Sequence, residues 1–160
     1  MLFLLFRLGK DRYALPAVQV AEVLPMLEFK QIPQAPPAVR GAFDFRGRPV
    51  PLIDLSLMAL GTPAREQLST RIVLVDYPDG QGGTRPLGLL AEQVTETLRR
   101  QPDDFRDTGV ELPDAPWLGP VASDAGGLVQ RVDVAQLLTT EVRALLFPTP
   151  AGRDGTPEAA

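Results

Sequence analysis

Prolines and glycines are spread along almost the whole chain, and their spacing limits the possible folds more than any other feature. The 160 residues include 17 prolines and 14 glycines. Proline disrupts the interior of a helix, and glycine is favoured where the backbone turns. The sequence therefore predicts many short elements separated by turns, in a barrel-type all-β fold with short helices.

Short apolar runs bounded by turn residues mark the predicted strands. These cover residues 2–8, 13–15, 26–32, 41–45, 50–55, 71–77, 86–90, 119–123 and 128–134. Residues 91–100 fit a strand or a helix, because periodicity alone does not separate the two over so short a segment. Gly88 lies inside a predicted strand, which indicates a bend or a close backbone approach.

Three segments carry helix signals. Pro16 stands where a helix begins, so residues 17–24 predict two helical turns that bear Glu22. Residues 56–60 predict a one-turn helix or loop, and residues 135–147 predict a C-terminal helix from their apolar spacing. The small, polar residues 148–160 are typical of a flexible tail, which leaves one domain over residues 1–147.

A basic turn lies near the centre of the predicted fold. Residues 46–49 read Arg-Gly-Arg-Pro between two apolar runs, and Gly47 can supply a positive φ. The pattern predicts a hairpin whose tip carries Arg46 and Arg48, with Arg40 nearby in the sequence. Such a tip is solvated and positively charged, which favours a docking surface.

Composition excludes several classes of chemistry. The chain has no Cys and no His, so disulfides, thiolate or imidazole metal ligands and His-dependent triads are excluded. The net charge of −4 and the few aromatic residues oppose general nucleic-acid binding. The apolar start is too short for a secretory signal or a membrane span, so we expect no direct membrane insertion.

An interaction module without enzymatic activity, metal or cofactor is the interpretation that remains. Asp44 and Asp54 lie on facing strands of the predicted hairpin and could approach each other, as a catalytic carboxylate pair would require. The alternative is a small-ligand-binding or enzymatic β-barrel domain, which would need a pocket with convergent polar groups. A nucleic-acid-binding module that uses the clustered arginines is the third.

The ordered motifs resemble those of the CheW family, the chemotaxis coupling proteins, from about residue 3 to residue 146. Residues 6–15 match an opening strand, a Gly-charged turn and a Tyr-containing strand, and residues 20–23 match Val-x-Glu-Val. Residues 32–37 match Ile-Pro-x-x-Pro-Pro, and residues 41–55 match a Gly followed by the Arg-Gly hairpin.

The resemblance implies a fold, a function and partners. The expected fold is two interleaved SH3-like five-stranded β-barrels with a C-terminal helix. The expected function is to couple methyl-accepting chemoreceptors to a CheA-type histidine kinase, in the cytoplasm at membrane receptor arrays. Glu22 and Arg46 match an ion pair that shapes the docking surface. The full set of expected partner-binding residues is Val20, Glu22, Arg40, Gly41, Arg46, Gly47 and Arg48.

Two positions depart from the family pattern, and two segments indicate a subgroup. Asp44 stands where Asn is common, and Ser56 stands where Arg is common. Residues 68–75 and 118–124 are similar to the WspB-like subgroup, whose surface-sensing pathway controls cyclic-di-GMP. The output of that pathway is a diguanylate cyclase and not a flagellar motor.

Overall fold

The computed structural model describes residues 1–110 and 112–148. Within these ranges the chain forms nine strands and two α-helices. The strands are β1 (Leu2–Leu8), β2 (Asp11–Pro16), β3 (Val20–Pro25), β4 (Val39–Phe45), β5 (Arg48–Asp54), β6 (Arg71–Pro78), β7 (Thr84–Arg99), β8 (Leu118–Asp124) and β9 (Gly127–Val132). The helices are α1 (Leu55–Leu60) and α2 (Thr140–Leu146), and 3₁₀ turns lie at Ala17–Gln19, Pro102–Asp104 and Val134–Gln136.

The strands form two five-stranded barrels that share β7. Barrel 1 has the order β3-β6-β7-β5-β4, and barrel 2 has the order β7-β1-β2-β9-β8. A single isolated bridge closes each barrel, between Lys30 and Ala42 in barrel 1 and between Arg106 and Val121 in barrel 2. Barrel 2 uses strands from both ends of the chain, and barrel 1 uses the strands that lie between them in the sequence. The expected interleaved β fold is therefore confirmed.

Alternating side chains divide the apolar core into three parts. In β1, Phe3 and Leu5 fill barrel 2, whereas Phe6 and Leu8 pack between the barrels. In β6, Ile72 and Leu74 fill barrel 1, whereas Val73 and Val75 belong to the layer between the barrels. Successive strand residues point to opposite faces, so both faces of these strands are buried. The largest of the three clusters is the one that joins the two barrels.

The long strand β7 resolves the segment that the sequence left open between strand and helix. It runs through both barrels, and Gln93 has a φ of 50° where its pairing with β1 shifts register. At Gly88 a side chain, and not the predicted backbone, makes the close approach, because a Cβ there would lie 2.5 Å from Cε1 of Phe43. Gly88 therefore makes room for the aromatic ring that fills barrel 1.

The helix predicted over residues 17–24 is wrong. Only Ala17–Gln19 form a 3₁₀ turn, and Val20–Pro25 form β3, which pairs with β6. Alternate residues of β3 are exposed, and Val23, which could face inward on the predicted helix, is 40% exposed. Backbone pairing of β3 with β6 therefore outweighs the helix start that Pro16 indicated.

Two further boundaries differ from the prediction. Residues 26–32 were predicted as a strand, but they are irregular apart from the bridge at Lys30. The C-terminal helix was predicted over residues 135–147, whereas α2 begins only at Thr140. Asp133 caps the preceding 3₁₀ turn and Thr139 caps α2, so two local caps replace one continuous helix. Of the predicted tail, residues 149–160 lie outside the described residues.

The one-turn helix predicted over residues 56–60 is confirmed as α1. Asp54 caps its start by accepting a hydrogen bond from the Leu57 N–H, and Gly61 ends it with a φ of 78°. None of the helices within residues 1–110 and 112–148 is long and apolar enough to cross a membrane.

Candidate docking surface

The predicted basic hairpin is formed by β4 and β5. Its turn has only two residues, Arg46 with a φ of 52° and Gly47 with a φ of 84°. Two consecutive positive φ values are the signature of a type I′ turn, whose twist suits a two-residue hairpin. The sequence predicted the positive φ at Gly47 but not at Arg46. Oδ1 of Asp44 accepts a 2.8 Å hydrogen bond from the Gly47 N–H and holds the turn.

The predicted contact between Glu22 and Arg46 is confirmed. Nη2 of Arg46 lies 3.0 Å from Oε1 and 3.4 Å from Oε2 of Glu22. The Glu22 side chain is 38% exposed and the Arg46 side chain is 72% exposed. The pair therefore adds only about 0 to 1 kcal/mol to the free energy of unfolding. The Arg46 guanidinium also lies 4.7 Å from the centre of the Phe45 ring. The pair therefore orients the arginine more than it stabilises the fold.

This ion pair spans a gap between two strands. Glu22 lies on β3, not on the predicted helix, and Arg46 lies at the tip of the β4–β5 hairpin. The strands β3 and β4 are the two ends of the barrel 1 order and are not paired to each other. We call the gap between β4 and the segment of residues 20–32 the seam. The contacts that cross it include the Glu22–Arg46 pair, the backbone bridge at Lys30 and the approach of the Arg40 guanidinium to the Phe29 ring.

Arg40 uses its charge inside the protein. Its Nη1 lies 2.6 Å from Oδ2 of Asp54, which is fully buried. The same carboxylate accepts hydrogen bonds from the backbone N–H groups of Leu57, at 3.1 Å, and Ala64, at 3.0 Å. The Arg40 guanidinium lies 5.2 Å from the centre of the Phe29 ring. Arg40 thus neutralises a buried acid that fixes the start of α1 and the connector after it.

The candidate pair of Asp44 and Asp54 is not a catalytic pair. Asp44 is opposite Pro49 near the hairpin tip, whereas Asp54 ends β5 at the far end. Asp54 lies five positions after Pro49, which corresponds to roughly 17 Å along the strand. The strand register shows that the two carboxylates lie far apart, which could not be decided from the sequence alone.

Gly41 is required by a close backbone approach. A Cβ at this position would lie 2.1 Å from the carbonyl oxygen of Lys30, and its φ is 150°. This approach allows the two backbone hydrogen bonds between Lys30 and Ala42, at 2.8 and 2.9 Å. Gly41 therefore has a structural role in closing barrel 1.

The predicted site residues thus fall into two groups, one at the hairpin tip and one near the start of β4. Glu22, Arg46, Gly47 and Arg48 come together at the hairpin tip, and Val20 lies two residues before Glu22 on β3. Arg48 is exposed, and no ion-pair partner for it is found among the described residues. Arg40 and Gly41 lie near the other end of β4 and hold the barrel together.

Sequence reasoning missed the structural roles of three residues that shape this surface. Asp44 holds the turn, Phe45 supports the Arg46 guanidinium, and Asp54 joins β4 to α1. An Asp that directly precedes a helix is a capping signal, so Asp54 could have been found from the sequence. The stacking of Phe45 on its neighbour depends on the left-handed turn and has no sequence signal of its own.

Comparison with known proteins gives a consistent result. A family model for the CheW-like domain matches residues 2–142. Chemotaxis protein CheW of Helicobacter pylori is 27% identical over 112 residues, which span 70% of this chain and 65% of that protein. Chemotaxis protein CheW of Klebsiella aerogenes is 25% identical over 151 residues, which span 90% of this chain and 85% of that protein.

A solved structure has the same fold. It is the crystal structure of the scaffolding protein TtCheW from Thermoanaerobacter tengcongensis, with a TM-score of 0.75. The match covers 88% of this chain and 89% of that chain at 19% sequence identity. At this identity the similarity establishes the arrangement of the two barrels and not the details of any surface.

Proposed function

Because the chain belongs to the CheW family, we propose that it is a non-enzymatic adaptor that couples methyl-accepting chemoreceptors to a CheA-type histidine kinase. The family match over residues 2–142 carries this proposal. It is supported by relatives named as chemotaxis proteins and by a fold neighbour named as a scaffolding protein. The adaptor makes and breaks no bond, and it acts in the cytoplasm where receptor arrays recruit it.

Coupling needs two surfaces, because an adaptor must bind the kinase and the receptor at the same time. We assign one of them to the hairpin tip. Arg48 is the residue free for direct contact with an acidic group, and Arg46 presents the remaining donors of a guanidinium held by Glu22. Gly47 gives the tip its turn geometry.

The other predicted partner-binding residues contribute through the shape of this surface. Arg40 and Gly41 set the position of β4 through Asp54 and Lys30. Val20 is half-buried at the start of β3 and packs against the layer between the barrels. A partner that docks on the hairpin tip would sense changes at these three positions indirectly.

We also propose that the pathway is surface sensing with cyclic-di-GMP as its output. The proposal rests on residues 68–75 and 118–124 and their likeness to the WspB-like subgroup. Phosphoryl transfer from the reconstituted kinase should then reach a response regulator that carries a diguanylate-cyclase domain. Transfer only to a motor-binding regulator would support chemotaxis instead.

Reconstitution tests the adaptor function directly. A methyl-accepting receptor in lipid nanodiscs, a CheA-type kinase and this chain are mixed, and the kinase recovered with the receptor is measured. We expect recovery only when the chain is present. Kinase recovery that does not depend on the chain would contradict the proposal.

Arg46→Ala tests the choice of surface in the same assay. The variant loses a guanidinium that contributes little to stability, so we expect weaker complex assembly with an unchanged unfolding midpoint. Arg99→Ala, which removes an exposed arginine at the end of β7 in barrel 2, is the matched control. Equal recovery with both variants would show that the hairpin tip is not the docking surface.

A further inference from the structure

Among the described residues, Asp44 of β4 has no backbone partner across the seam. The two-residue turn pairs Phe45 with Arg48 and Phe43 with Val50. In an antiparallel ladder the residues between such pairs direct their N–H and C=O groups to the other side. Ala42 uses both of its groups on Lys30. The backbone groups of Asp44 are the next pair that faces the seam.

The chain's own segment does not fill this position. Continuing the register from Lys30 opposite Ala42 would place Glu28 opposite Asp44. Among the described residues, no backbone hydrogen bond joins these two. The segments part instead around a cleft of about 570 Å³, whose apolar walls include Phe29 and Pro49.

Charge explains why the seam stops after one bridge. Like charges directly opposite each other on paired strands destabilise the pairing. Closing the seam by one more pair would bring the carboxylates of Glu28 and Asp44 into this relation. Both residues are exposed, and both line the cleft. The open position is therefore flanked by two acids, which disfavour further closure and favour a basic side chain between them.

The neighbouring strand β5 is protected where β4 is open. Pro49 and Pro51 stand at the β5 positions opposite Asp44 and Ala42. Proline has no N–H to offer to an incoming strand, and proline on an edge is a common device against strand addition. Asp44, in contrast, keeps both a donor and an acceptor.

We propose that the seam binds an extended segment of a partner protein in which apolar and basic residues alternate. The segment adds a strand to β4, and its backbone pairs with the N–H and C=O of Asp44. Its basic side chain lies between Glu28 and Asp44, and the adjacent apolar side chains enter the cleft over Phe43. This mode of binding does not depend on which receptor or kinase the adaptor serves.

A peptide titration of the full-length protein tests the proposal. The probe is the blocked peptide acetyl-Thr-Val-Lys-Val-Lys-Val-Thr-amide, and binding is followed from the amide resonances of the ¹⁵N-labelled protein. We expect the largest shifts at Glu28 and Asp44, with slower hydrogen exchange at the Asp44 amide. The same peptide with Glu in place of Lys should bind about fivefold more weakly or worse, because attraction becomes repulsion.

Two variants complete the test. Glu28→Lys should bind the lysine peptide at least about fivefold more weakly, because its own segment can then pair with Asp44 and closes the seam. In that variant the Asp44 amide should be protected without peptide. Asp76→Asn, which neutralises an exposed acid on β6, is the control and should leave binding unchanged.

The possible outcomes separate this proposal from the adaptor function. Equal binding of the two peptides, unchanged binding by Glu28→Lys, shifts centred away from the seam, or no shift at millimolar peptide would each overturn it. A lysine peptide N-methylated at the central residues should not bind, and undiminished binding would exclude strand addition. The receptor and kinase reconstitution uses no peptide, so either proposal can fail alone.

Discussion

Replacement of Arg40 by alanine should destabilise the whole domain, although the residue is partly exposed and belongs to a basic hairpin. The guanidinium is the one cation that contacts the buried Asp54 carboxylate within the described residues. Without it, a fully buried charge would keep only the backbone N–H groups of Leu57 and Ala64. The same carboxylate connects β5, α1 and the connector, so the damage is not local.

The magnitude follows from the burial of the two partners. Breaking a buried ion pair from one side costs about 3 to 5 kcal/mol, since the remaining charge is uncompensated. The Arg40 side chain is 22% exposed and two N–H donors remain on Asp54, so we expect a value near about 3 kcal/mol. That is a large share of the roughly 5 to 15 kcal/mol typical of a domain.

Urea unfolding followed by circular dichroism measures this loss, and a double variant checks its cause. Asp54→Asn removes the charge but keeps a side-chain oxygen that can accept from Ala64. Adding Asp54→Asn to Arg40→Ala should therefore recover part of the loss, which makes the two changes non-additive. A loss below about 0.5 kcal/mol for Arg40→Ala, or strict additivity of the two changes, would refute the reasoning.

Three further changes test other parts of the fold. Gln93→Gly should raise the free energy of unfolding by up to about 1 kcal/mol, because a non-glycine residue at a φ of 50° is strained; a lower urea midpoint would contradict this. Gly41→Ala should lower it by at least about 2 kcal/mol, since the Lys30 carbonyl leaves no room for a Cβ; a variant as stable as the parent would show that the bridge adapts. The hydrogen bond from Arg12 holds the pKa of Asp124 below its ordinary value of 3.8, so this acid stabilises the fold above that pH and loses its effect as pH falls through the folded-state pKa. Asp124→Asn should remove that part of the acid dependence of the urea midpoint below about pH 4, and an unchanged profile would exclude it.

Much of the fold could be predicted because local patterns and tertiary pairing agree. The strand at residues 71–77 is apolar on both faces, and Gly47 between two apolar runs indicated a hairpin turn with a positive φ at that residue. Residues 17–24 show the opposite case. Their apolar spacing fits two helical turns or one short strand. Val20–Pro25 form a strand because they pair with the edge of β6, which lies about fifty residues further along the chain.

The candidate site was predicted unevenly for a related reason. The pairing of Glu22 with Arg46 was expected from family resemblance, and it survives the change from helix to strand because β3 still runs beside the hairpin tip. The partner of Arg40 was not expected. Asp54 lies fourteen positions after Arg40 in the sequence. No local spacing rule relates a residue on β4 to the residue that caps α1.

The strand β4 therefore combines two roles that one binding experiment would confuse. Near its start, Arg40 and Gly41 face groups that the fold cannot leave unpaired, so their loss should reduce partner binding only as far as it unfolds the domain. At its end, Asp44 and Arg46 contact exposed groups, so their loss should change binding while the domain stays folded. Partner affinity plotted against unfolding free energy should place the two groups on separate lines. If all four variants fell on one line, the hairpin tip would have no role beyond stability.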